Sequence, residues 1–151
     1  MSWLYRREGQ RLLCHERAVA ASADASFFVA PRETELFHRL APECAATVET
    51  IGNGVDATFF SPDHAGASPF GANELPLVFI GAMDYWPNVD AVCWFVESML
   101  PALRHAHPAL KFYIVGRSPT PAVSALAGES VVVTGTVPDV RPYLTGAAAV
   151  V

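Results

Sequence analysis

The sequence predicts an α/β fold built on Rossmann-type parallel sheets, and three observations predict it. Short apolar runs alternate with segments of helical spacing, giving a βαβα order twice over. The runs are apolar throughout rather than at every second residue, as in parallel strands covered on both faces. Three of them end in glycine, at Gly81, Gly116 and Gly135. In a parallel sheet these three glycines fall on one carboxyl edge, where open α/β folds bind ligands.

Residues 2–22 read as a helix, with Tyr5, Leu12, Leu13, Val19 and Ala20 as a ragged apolar stripe. Residues 25–30 form a short buried strand. Pro31 suits the first turn of the next helix, with Glu33 and Glu35 near its positive end and Leu36, Phe37 and Leu40 on its apolar face. Pro42 ends it. A second strand, 47–51, runs into Gly52-Asn-Gly-Val-Asp56, which reads as a sharp turn. Between Phe59 and Pro76 the pattern lapses into Pro, Gly, Ser and Asp, so a domain boundary is expected there.

The second half is more regular. A strand is expected at 77–80. A helix follows, with Asp84 and Asn88 as candidate caps and Val89, Val92, Cys93, Val96, Met99, Leu100 and Leu103 at helical spacing. Pro101 should kink or shorten its last turn. Strands at 110–115 and 130–134, short helices at 121–127 and 138–144, and a strand beginning at 147 complete the reading. Both ends read as cut: the chain is expected to be a piece of a larger protein.

Composition narrows the function. Hydrophobic residues make up 52% of the 151, enough for a buried core. A net charge of −5 argues against nucleic acid, which demands a basic face. Arg6, Arg7, Arg11 and Arg17, beside Trp3 and Tyr5, form the one local exception. A solvated helix face is the reading preferred there, with a membrane-surface stretch as the alternative. The odd, widely spaced Cys14, Cys44 and Cys93 suit free thiols in a reducing cytoplasm. No apolar run is long enough to span a bilayer.

The glycine edge is the candidate site, and glycines that merely turn the chain at strand ends are an equal reading of the same residues. Residues 77–88 join a strand, a glycine turn and a helix N-terminus, an arrangement suited to phosphate. Neither GxGxxG nor a Walker A lysine pattern is present. Trp86 is expected to pack, with a stacking platform as the alternative. Asp84 is read as a cap before it is read as a contact to a substrate hydroxyl. Arg117 is the best cation on the edge for a phosphate or base, and a solvated loop arginine fits it equally. The scattered histidines and cysteines form no metal ligand set, and no nucleophile, base and orienter assemble.

At this point the ordered blocks VETIGNGVDATFFSP (48–62), VFIGAM (78–83), FYIVGR (112–117), VVTGTV (132–137) and DVRPYL (139–144) come into view. Together they resemble retaining glycosyltransferases of the GT-B fold, family four, the group 1 glycosyl transferases. The wording GAMDYWPNVD (81–90) is similar to bacterial sugar transferases of exopolysaccharide and exosortase (PEP-CTERM) systems. The resemblance implies residues 1–58 as the end of an acceptor-side domain, 59–76 as interdomain linker and 77–151 as the start of a nucleotide-sugar donor domain. It implies sugar transfer with retention from a nucleoside-diphosphate sugar to a polysaccharide or lipid-linked acceptor. No cofactor and no metal are implied. Gly81, Ala82 and Met83 would approach the donor diphosphate. Gly116, Arg117, Thr134, Gly135 and Val137 would border the nucleotide, and Asn53 and Gly54 would lie at the interdomain junction. The implied setting is cytoplasmic, with peripheral inner-membrane association.

Two departures accompany the resemblance. Relatives carry an arginine and a lysine soon after the first donor-domain glycine, whereas residues 82–88 here hold no cation. The Glu-x7-Glu donor motif does not fall within the chain, so turnover by these residues alone is not expected. The competing reading is a non-catalytic nucleotide-binding or interaction module on a Rossmann-like fold.

Overall fold

Two units make up the chain, Met1–Val55 and Asp56–Val151. The computed structural model describes residues 2–64 and 66–151. In the first unit, helix α1 (Ser2–Ser22) precedes strand β1 (Ser26–Phe28), helix α2 (Pro31–Leu40) and strand β2 (Val48–Thr50). The two strands pair in parallel, with Ser26 opposite Val48 and Phe28 opposite Thr50. Ala20, Phe37, Ala41, Cys44 and Val48 form the core, with Leu13 and Phe28 packed on it. Leu13 and Ala20 lie two helical turns apart, on one face. Tyr5, Leu12 and Val19, also expected in the stripe, point off that line and are exposed. The expected sharp turn at 52–56 is absent. Gly52 and Gly54 keep negative φ in an exposed, irregular stretch.

The second unit is a four-stranded parallel sheet of order β5-β4-β3-β6. Its strands are β3 (Leu75–Ile80), β4 (Leu110–Val115), β5 (Val131–Gly135) and β6 (Ala149–Val150). Strand β4 is interior and apolar on both faces. Phe112 and Ile114 join Met83, Val92, Phe95, Leu100 and Val123 on one side. Tyr113 and Val115 join Val78 on the other, packed by Phe70, Val137, Val140 and Tyr143. Phe70 lies edge-on to Tyr113 at 4.7 Å between ring centroids and to Tyr143 at 5.8 Å. Strand β3 starts two residues earlier than expected, despite Pro76. The Pro76 carbonyl accepts from Ala148 N–H on the β6 side. Strand β6 pairs only from Leu77 onward, so the ladder there does not need the N–H that proline lacks.

Helix α3 (Trp86–Trp94) leads through a π turn, Phe95–Met99, into α4 (Leu100–Ala106). Leu100 N–H donates to Phe95 O, five residues back. This wider turn lies just before Pro101, whose ring would clash with the carbonyl four residues earlier in a regular helix. The helix therefore continues past Pro101 instead of shortening there. Helices α5 (Pro121–Ser124) and α6 (Arg141–Gly146) are shorter than, or shifted from, the expected spans. Among the described residues no helix is long and apolar enough to cross a membrane.

Candidate functional site

The parallel registers bring the three glycine-ended strands together. Ile80 lies opposite Val115, and Val115 opposite Gly135. Gly81 N–H donates to Val115 O at 3.0 Å, and Gly116 N–H donates to Gly135 O at 3.2 Å. Gly81, Gly116 and Gly135 thus form one carboxyl edge, as the strand pattern predicts.

The reasons for glycine differ along that edge. A Cβ on Gly116 would lie 1.7 Å from the Gly81 carbonyl oxygen, so glycine there lets two backbones meet. A Cβ on Gly81 would lie 2.6 Å from Asn88 Nδ2. At both positions the close neighbour is this chain itself. Gly135 is different: its φ is +67° and the space beside it is open. A β-bulge at Thr134 precedes it, and the Thr134 hydroxyl donates to Gly135 O at 2.9 Å.

The turn after β3 is laced to its neighbours. Met83 N–H donates to Arg117 O at 2.9 Å, and Thr120 N–H donates to Met83 O at 3.3 Å. The Met83 side chain is fully buried, so it anchors the turn in the core. Asn88 is no helix cap: its Nδ2 donates to Ala82 O at 3.0 Å, across the turn. Asp84 is no cap either. The N-cap position is Tyr85, without a side-chain hydrogen bond, and proline occupies the first turn. Asn88 N–H and Val89 N–H both go to Tyr85 O, which leaves few free donors at this helix start.

Among the described residues the ion pairs join Arg17 to Glu43, Arg104 to Glu129, Lys111 to Glu74 and Arg141 to Asp139. Arg117 stands outside them, exposed, one residue before Ser118 with its φ of +54°. It is therefore the cation available to a ligand on this edge. Val137 does not face the edge but packs in the apolar cluster with Val78 and Tyr113. Asn53 and Gly54 belong to the first unit, in its exposed final stretch.

Trp86 is not packed. It is 73% exposed, and beside it lies an open hollow of about 430 Å³ lined by Asp84, Trp86, Val89, Asp90, Cys93 and Thr120. Burial, with the charges of Glu97 and Asp90, pushes the Cys93 thiol up, which keeps it neutral. Among the described residues no three His, Cys, Asp or Glu side chains converge on a metal position.

Two polar clusters escaped the sequence reading. Arg141 grips Asp139 through Nε and Nη2, donates to Phe59 O at 3.2 Å, and lies 4.1 Å over the Phe59 ring. Asp139 is held below the usual carboxylate range by those bonds. The other cluster, Glu74 with Lys111 and Tyr113, lies at the opposite, amino end of the sheet. The aspartate-x-arginine spacing was visible, but its partner Phe59 lies 82 residues away.

A family model described as glycosyl transferases group 1 matches residues 74–151, which is the whole sheet of the second unit. A search of curated proteins gives no match.

Proposed function

Because this chain belongs to the group 1 glycosyl transferases, we propose that its glycine edge holds the nucleoside-diphosphate part of a sugar donor. The observation that carries this reading is the convergence of Gly81, Gly116 and Gly135 on one parallel-sheet edge inside the matched segment. Ala82 and Gly135 offer backbone approach. Arg117 supplies the positive charge that residues 82–88 lack. Gly81, Gly116 and Met83 shape the edge, and Thr134 holds its bulge. Val137 supports it from the apolar layer below.

In this reading the chemistry is transfer of the sugar with retained configuration to a polysaccharide or lipid-linked acceptor, within a GT-B architecture that sets Asn53 and Gly54 at the domain junction. The wording of residues 81–90 supports a bacterial exopolysaccharide system. The reading extends to the cytoplasmic face of the inner membrane, and the exposed Trp3 and Tyr5 beside Arg6 and Arg7 support peripheral association. Calorimetric titration with uridine, guanosine and adenosine diphosphates tests the donor site. One nucleotide should bind, and Arg117→Ala should weaken it about tenfold, the loss of one charge-assisted contact. Equal binding by the variant would remove Arg117 from the site.

A further inference from the structure

The hollow beside Trp86 has chemistry unlike that of the glycine edge. Trp86, Val89, Asp90 and Cys93 follow the spacing i, i+3, i+4, i+7, so one stripe of α3 forms its wall. Thr120, at the start of α5, and Asp84 complete the lining. At about 430 Å³ it falls within the range of small-ligand clefts. An indole left 73% exposed at the rim of a concavity is a flat apolar platform with a polar tip. Asp84 and Asp90 stand outside the ion pairs of the described residues, and no lysine or arginine lines the hollow. The Thr120 oxygen accepts from Val123 N–H at 3.4 Å, which leaves its own proton free to donate.

A phosphate would meet two uncompensated carboxylates here. A purely apolar ligand would offer no hydrogen bond to the two exposed carboxylates or to the hydroxyl at its rim. A ligand with one flat C–H face and a rim of hydroxyl donors satisfies every group. We infer that this hollow binds a non-phosphorylated hexopyranose, stacked on Trp86 with its hydroxyls donated to Asp84 and Asp90 and one oxygen accepting from Thr120. The hollow adjoins the proposed nucleotide edge through the Met83–Asp84 turn, where Thr120 N–H donates to Met83 O, but none of its lining residues belongs to that edge.

The test is indole and amide NMR of the chain titrated with methyl α-D-glucopyranoside, glucosamine and glucose 6-phosphate, with inorganic phosphate as control. Trp86→Phe assigns the indole signal among the three tryptophans. The first two sugars should shift the Trp86 indole and the Asp90 amide, and glucose 6-phosphate should bind more weakly than either. Trp86→Ala should weaken binding by about tenfold or more. Asp90→Asn should weaken glucosamine more than the neutral glycoside. Trp86 is exposed, so the alanine variant folds, and its nucleoside-diphosphate binding should equal that of the parent. No Trp86 shift with any sugar up to about 100 mM, far weaker than millimolar affinity, would overturn the inference. So would an equal response to phosphate, or sugar binding untouched by Trp86→Ala.

Discussion

The carbonyl oxygen of Gly81 occupies the place where a side chain on Gly116 would begin, 1.7 Å from a Cβ built there. The ends of β3 and β4 are therefore fastened by direct backbone contact. Gly116→Ala must push the two strand ends apart and should lower stability by about 3 kcal/mol or more. Gly135→Ala meets open space and carries only the cost of a positive φ, about 1–2 kcal/mol. Urea midpoints of the two variants measure the difference. Equal losses would mean that close approach is not what Gly116 provides.

Met83 and Trp86 stand three residues apart in the same turn with opposite fates. Met83 is fully buried in the core under the sheet, and Trp86 is 73% exposed. Met83→Ala should cost about 2–5 kcal/mol, the range for truncating a buried large side chain. Trp86→Ala should change stability by less than about 0.5 kcal/mol. Thermal unfolding of both checks the pair.

Asn88 bridges the turn through Ala82 O instead of capping the helix. Asn88→Ala should cost about 1 kcal/mol, the net worth of one such bond. Asn88→Asp should cost more, because a carboxylate would face the Ala82 carbonyl with no proton to donate. Were aspartate as good as asparagine, the residue would be acting on the helix start after all, and urea denaturation at neutral pH decides between them.

The pH dependence should centre on Glu74. Hydrogen bonds from Lys111 and Tyr113 lower its carboxyl from 4.5 to about 2. A depressed folded-state value gives stability that is present above the unfolded value and lost as pH falls through about 2. Tyr113 is pushed up to about 12, first by burial and then by its bond to Glu74. Its contribution is present below its ordinary value of 10 and is lost as pH rises through about 12. Glu74→Gln should flatten the acid limb of a stability–pH curve. An unchanged acid limb would assign the acid sensitivity to other carboxylates.

Much of this architecture was legible because its signals are local. Continuous apolar runs marked parallel strands, and glycine at their ends marked one edge, which the registers reproduce. What escaped depends on the third dimension. Asn88 looked like a cap because its partner, Ala82 O, is reached only once the turn has closed. Trp86 looked like core because size predicts burial only when a neighbouring layer covers the residue. Gly52 and Gly54 suggested a turn, yet the chain turns later, where the Asp56 carboxylate accepts the N–H groups of Thr58 and Phe59. At the site, the glycines and Arg117 could be named from sequence. That the space beside Gly81 and Gly116 is filled by the chain, and that Gly135 alone of the three is open, could not.

Whether a nucleoside diphosphate lies at the glycine edge is decided by an amide chemical-shift map of the chain titrated with the diphosphate that calorimetry selects. Shifts should concentrate at Ala82, Arg117, Ser118 and Gly135, where the edge is open or exposed. Shifts confined to residues away from these strand ends, or no binding by any of the three nucleotides at millimolar concentration, would contradict that placement.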